Sequence, residues 1–182
     1  MPRRHNNVIL ATMELHGDGF VIRGWKKGDE VSLQKNANNL KVSACLMDRF
    51  PSPYTIEAAI TWVDALINQA PLVNFAITIN DEVIGGIGME PRQDVYRKTA
   101  IIGYWLSEEL WGKGIMPEAV KLVTEYAFTH LDFIRLQASV YSKNPASMRV
   151  LEKAGYIKEG VMRNAVIKGG EILDEHLYAI LK

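Results

Sequence analysis

The chain has 182 residues with 21 basic and 21 acidic side chains, a balance that gives no electrostatic case for nucleic acid or an anionic membrane surface as the main partner. A single cysteine, Cys45, excludes an intrachain disulfide and fits a reducing compartment, so the expected location is the cytoplasm. The length suits one domain over residues 1–182. No apolar run reaches the roughly 20 residues of a membrane span, and His5, His16, His130 and His176 lack metal-ligand spacing, so no metal is expected.

In chain order, Phe20-Val21-Ile22-Arg23 reads as a short first strand, and Gly28-Asp29-Glu30 enters a helix running towards Asn38. Pro51 and Pro53 break the chain before a helix that Thr55 can cap, with Ala59, Val63, Leu66, Ile67 and Ala70 at helical spacing. Asn74 to Ile79 and Val83 to Met89 flank Asn80-Asp81-Glu82, a hairpin signal. Ala100 to Leu106 is nearly all apolar and reads as a central strand. A helix from Pro117 to about His130 follows, then a strand over Arg135 to Tyr141. Asn144-Pro145 opens a short helix ending at Gly155, and strands at about 156–167 and 172–180 close the chain. This order predicts an α/β (α+β) domain: a mixed, mostly antiparallel twisted sheet of six to seven strands, helices on both faces, and one central β-α-β crossover.

The segment Trp111-Gly112-Lys113-Gly114-Ile115-Met116-Pro117 stands out. Pro117 suits the first position of the long amphipathic helix, yet the place a helix gives to Ser, Thr, Asp or Asn is held by Ile115 and Met116, which accept nothing. The free N–H groups then need water or a ligand acceptor. The glycines admit a ligand close to the backbone, and the helix dipole favours an anion. A phosphate-bearing ligand is expected here. A Rossmann fingerprint fails because its last glycine falls on Pro117, and a P-loop fails because Gly114 is followed by Ile115. Asn144-Pro145-Ala146-Ser147 reads first as a capped helix start. Its position changes the reading, since both helix starts follow neighbouring strands at the same ends. One can then hold phosphates while the other offers an amide and a hydroxyl to the reactive end of the same ligand.

Gly103-Tyr104-Trp105-Leu106, Trp111-Gly112-Lys113-Gly114, Glu118-Ala119, Asn144-x-x-Ser147 and Leu151-Glu152-Lys153-Ala154-Gly155-Tyr156 together resemble the GNAT superfamily of acyl-CoA-dependent N-acetyltransferases. Within it they resemble the branch of the ribosomal-protein N-terminal alanine acetyltransferases. The resemblance implies acetyl-CoA as co-substrate, with its pyrophosphate on backbone N–H groups of Trp111, Gly112, Lys113, Gly114, Ile115 and Met116. It implies a pantetheine arm along Tyr104, Trp105 and Leu106, with Asn144 contacting that arm and Ser147 near the sulfur. Lys153 matches a position that can lie near the cofactor, although a lysine in a last helical turn is favoured regardless. Met116 departs from the small residue usual there and is expected to crowd the pyrophosphate. A homodimer follows from the likeness alone.

The implied chemistry is direct attack of a neutral amine on a thioester. The backbone N–H around Leu106 is the candidate donor to the developing oxyanion, and Ser147 the hydroxyl that eases thiolate departure. Many relatives carry a tyrosine where this chain has Leu151, which favours Ser147. Positions where relatives carry an acid hold Ile101 and Ser139 here. Glu90, or Tyr104 through a water, remains as base, and a dedicated base is dispensable for an α-amine of pKa about 8, unlike a lysine at about 10.4. The expected acceptor is a peptide or protein N-terminal α-amine. The alternatives are a small amine (a polyamine, an amino acid or an aminoglycoside-like compound) or a non-catalytic acyl-CoA sensor.

Overall fold

The computed structural model describes residues 13–182, so His5 and the basic N-terminal residues lie outside the described residues. The elements are β1 (Glu14–Gly17), β2 (Phe20–Arg23), α1 (Glu30–Ala37), α2 (Leu40–Ser43), α3 (Ile56–Leu66), β3 (Asn74–Ile79) and β4 (Glu82–Pro91), followed by β5 (Thr99–Leu106), α4 (Ile115–His130), β6 (Arg135–Tyr141), α5 (Pro145–Lys153), β7 (Ile157–Lys168) and β8 (Glu171–Leu181). The strands form one sheet of eight, in the order β1-β2-β3-β4-β5-β6-β8-β7. That is one strand more than the six to seven expected. The addition is β1, an edge strand of alternating exposed and half-exposed residues, too short and polar to stand out in sequence. The short α2 is also new, capped by Asn39, whose side chain accepts from Lys41 N–H at 2.8 Å.

Neighbouring strands run antiparallel except β5 and β6, which are parallel and joined through α4. Side chains alternate across a strand, so each face of the sheet carries its own core. On one face, Ala100, Ile102, Leu136, Ala138 and Val140 pack with Ala119, Val120 and Val123 of α4 and Leu151 of α5. On the other, Leu33 and Ala37 of α1 and Ala59, Val63 and Leu66 of α3 cover Trp25, Ala76 and Val83. The second layer closes because α3 starts as expected, with Thr55 Oγ1 accepting from Ala58 N–H at 3.3 Å. Among the described residues no helix is long and apolar enough to cross a membrane.

α4 begins two residues before the expected start. Gly114, at φ 86°, takes the cap position, which places Pro117 third in the helix rather than first. A left-handed cap is open to glycine at little cost, so the helix starts where the backbone can turn.

Arg23 and Asp29 tie β2 to the start of α1. The guanidinium donates to both Asp29 oxygens, at 2.8 and 2.9 Å, and Asp29 also accepts from Lys26 N–H at 3.0 Å. Both residues are buried, Asp29 at 2% exposure and Arg23 at 8%. Removing one partner of a buried pair leaves an uncompensated charge and costs about 3–5 kcal/mol. Arg23 also pairs with Asp81 at 2.9 Å, whereas Asp29 has no second cation, so Arg23→Ala is expected to lose that much in urea unfolding while an exposed control, Asp132→Ala, loses little.

Candidate active site

β5 and β6 pair only at Thr99–Arg135, Ala100–Leu136 and Ile101–Gln137, although β5 runs on to Leu106 and β6 to Tyr141. Beyond Ile101 a slot opens in the middle of the sheet. Its lining follows from the ladder on the other side of β5. Arg92 N–H donates to Thr99 O at 2.9 Å and Ser107 N–H to Ile84 O at 2.8 Å. In an antiparallel pair, alternate residues bond the same neighbour, so the odd-numbered residues of β5 bond β4. Tyr104 and Leu106 therefore turn their backbone groups into the slot. The same phase removes Trp105 from the expected lining: its backbone faces Gly86 on β4, and its ring packs 6.0 Å from Phe50 on the far face.

The glycine turn closes one end of this slot. Trp111 Nε1 donates to Leu106 O at 2.8 Å, which pins the turn to the end of β5 and consumes that carbonyl. The Leu106 N–H stays free to donate. Gly112 and Gly114 take φ of 78° and 86°, and no side chain caps α4. Among the described residues, none of the backbone N–H groups from Gly112 to Met116 has an internal acceptor. These donors, exposed at a helix N-terminus, suit a phosphate. Ile115 and Met116 are 8% and 6% exposed, with their side chains in the core below α4. Met116 thus does not crowd the turn as expected; the early helix start rotates it inward. Lys113 is exposed beside the same donors.

Across the slot, Asn144 Oδ1 accepts from Ser147 N–H at 3.1 Å, so the carbonyl half of the amide caps α5 and the NH₂ half remains. The Ser147 hydroxyl lies 2.9 Å from the Tyr104 hydroxyl, which joins the two arms of the slot. Burial, partly offset by this hydrogen bond, pushes the Tyr104 phenol well above its ordinary range. Tyr104 accordingly stays protonated, and its hydroxyl donates to Ser147 O at 3.3 Å, which argues against the expected role as a base. Lys153 stands six residues beyond Ser147 at the far end of α5, without a hydrogen-bond or ion-pair partner among the described residues.

The opposite face of the slot carries Ile101, Gly103, Ser139 and Tyr141, with Gly103 and Ser139 exposed. Glu90 sits opposite Ile101 on β4, where β5 and β6 part, but its carboxylate accepts from Arg49 at 3.0 Å. The segment after α2 spans this face. Arg49 holds Glu90 on one arm, Asp48 accepts from Lys168 of β7 at 2.7 Å on the other, and Glu108 accepts from Asn39 at 2.9 Å and from Lys41. Sequence reasoning missed this crossing segment because its anchors lie up to 120 residues away in the chain. Cys45 lies in it, and burial raises its thiol above the ordinary value, unlike an activated nucleophile. Among the described residues no group of three or more His, Cys, Asp or Glu is placed to hold a metal ion.

Residues 20–157 match the acetyltransferase (GNAT) domain family. The chain belongs to this family. It is 45% identical over 102 residues to the probable N-acetyltransferase YjcK of Bacillus subtilis, a match covering 56% of each chain. It is 33% identical over 105 residues to the ribosomal-protein-serine acetyltransferase of Escherichia coli, covering 58% of each. The aligned stretches thus span little more than half the length of these relatives. In fold it resembles RimJ of Mycobacterium smegmatis, solved with a CoA disulfide, at a TM-score of 0.77 and 22% identity over 89% of this chain and 81% of that one.

Two outcomes follow from the site's geometry. A Cβ on Gly114 would meet nothing within 4 Å, so Gly114→Ala isolates the left-handed backbone cost, about 1–2 kcal/mol; urea unfolding should show that loss, and calorimetric titration should show weaker CoA binding. Tyrosines held protonated should also govern alkaline stability. The ordinary value is 10.0, Tyr54 and Tyr156 are pushed up to about 12 by burial, and Tyr104 is raised in the same direction. The folded chain keeps protons that the unfolded chain releases, so this stabilisation is full below pH 10 and is lost progressively above it. The urea midpoint should fall above pH 10, less steeply in Tyr104→Phe.

Proposed function

We propose that this chain transfers an acetyl group from acetyl-CoA to a primary amine, and that the acceptor is the α-amine of a peptide or protein N-terminus. The observation that carries the reading is the slot between β5 and β6, with one helix start at each arm and free backbone donors along its edge. The residues present fit the proposed co-substrate: uncapped N–H groups at 112–116 for the diphosphate, and the N–H groups of Tyr104 and Leu106 for an extended arm. Acetyl-CoA supplies a thioester carbonyl open to attack by an amine.

The rest is the work of the protein. Backbone N–H groups of Tyr104 or Leu106 stabilise negative charge as it develops on the carbonyl oxygen, in a fixed geometry that costs no reorganisation. The Tyr104 hydroxyl, 2.9 Å from Ser147 Oγ, fixes where the serine hydroxyl stands in the slot. Ser147 thereby passes the proton lost by nitrogen on to the departing sulfur. An α-amine needs little help to be neutral, at a pKa of about 8. The likeness to ribosomal-protein acetyltransferases supports a peptide acceptor, as does the open face above Gly103 and Ser139. The lone cysteine supports a cytoplasmic location.

Thiol release across a panel of alanine- and serine-terminated peptides, spermidine and free amino acids tests the acceptor. Peptide turnover is expected; turnover of spermidine alone would assign a small-amine enzyme. CoA binding without turnover of any amine would assign a sensor, and no thermal stabilisation by CoA would overturn the reading. Ser147→Ala should keep CoA binding and lose at least tenfold in kcat.

A further inference from the structure

On the acceptor face one carboxylate has no counter-charge. Glu175 of β8 lies directly opposite Tyr141 of β6, and Leu177 directly opposite Ser139. Residues paired across β6 and β8 share a face, and Val140 and Ala138 belong to the α4–α5 side. Tyr141 and Glu175 therefore share the slot's acceptor side with Ser139 and Gly103. Ser139 and Glu175 are diagonal neighbours, a separation of about 7–8 Å between backbones.

Three basic groups on this side are already paired. Lys168 of β7 is held by Asp48, Arg49 by Glu90, and Lys143 by Glu171. Asp174 faces the other side, where it accepts from Asn164 N–H at 2.8 Å. Glu175 accepts no hydrogen bond and joins no ion pair among the described residues, although it is half-buried. The Tyr141 phenol beside it is raised by burial, lowered by Lys168, and raised again by Glu175, Asp48 and Cys45.

A carboxylate in contact with the reacting nitrogen would serve as its base. One set back from the slot by a strand does not. It suits a second positive charge on the same acceptor.

We infer that Glu175, with Tyr141 beside it, is a specificity-determining subsite for a cationic side chain in the first few residues of the acceptor peptide. The inference rests on the acetyltransferase reading and deepens it by naming the acceptor's chemistry: a free N-terminus followed closely by Lys or Arg. The Glu175 oxygens accept from the ammonium or guanidinium, and Tyr141 supplies the flat wall along which its methylene stem lies.

The test compares two peptides, Ala-Arg-Ala-Ala and Ala-Glu-Ala-Ala, with spermidine as a third acceptor, in the intact protein and in Glu175→Gln and Glu175→Arg. The parent is expected to favour the arginine peptide by tenfold or more in kcat/KM, mostly through KM. Glu175→Gln should erase that preference and Glu175→Arg should reverse it, with the KM for acetyl-CoA unchanged in both. A merely structural role would slow both peptides equally, and that result overturns the inference, as does a parent without charge preference. If Glu175→Arg does not fold, Glu175→Gln decides alone. Turnover of spermidine only, lost in Glu175→Gln, would support the cation subsite and overturn the peptide as its source. Turnover of none of the three by a parent that binds CoA overturns the acceptor reading and the subsite with it.

Discussion

The structure depends on a pairing that stops early. Two parallel strands at the centre of a sheet ordinarily satisfy each other along their whole length, because buried backbone groups left without partners are costly. Here β5 and β6 part after three residue pairs. The fold tolerates the gap because both strands are anchored on their outer sides, β5 by β4 from Pro91 to Gly85 and β6 by β8 along its full length. What would be a defect in a storage domain leaves room here for an extended chain. The open backbone donors are presented in the register of a missing strand.

The parallel direction of β5 and β6 has a second effect. Both strands end at the same edge, so the two helices that follow start there together. One start is capped by its own asparagine and is chemically furnished, with Ser147 three residues in; the other is capped by Gly114 and left bare. Bare donors suit an anion, and a side-chain hydroxyl suits a reacting centre. The Tyr104–Ser147 contact crosses from one arm to the other on the α4–α5 side. The segment carrying Asp48 and Arg49 crosses on the opposite side. The slot is thus held at a fixed width from both faces.

Much of this was legible in the sequence because the signals were local. Thr55 and Asn144 cap as their types dictate, Gly155 ends α5 at φ 91°, and the apolar run from Ala100 marks the central strand. The uncapped start of α4 at the glycine turn was readable for the same reason. What escaped depends on ladder phase and distant partners. Whether Trp105 or its neighbours face the slot is set by a one-residue alternation fixed at Ser107 and Arg92. Met116 was misjudged because a start two residues earlier turns its side chain inward. In sequence nothing singles out Glu175 between Asp174 and His176; the pairing of β8 with β6 puts it on the face of Ser139 and Tyr141. The likeness to a family pointed to these segments, while the strand register fixes which backbone groups line the gap between β5 and β6.

Trp111 has a use beyond pinning the turn. Its indole is 44% exposed, yet its N–H is fastened to the strand end at 2.8 Å, so the ring is stationary and wet at once. A polyanion settling on the neighbouring amides would displace the solvent around that ring. The protein therefore carries its own fluorophore at the mouth of the slot, and occupancy can be followed by emission without attaching a label.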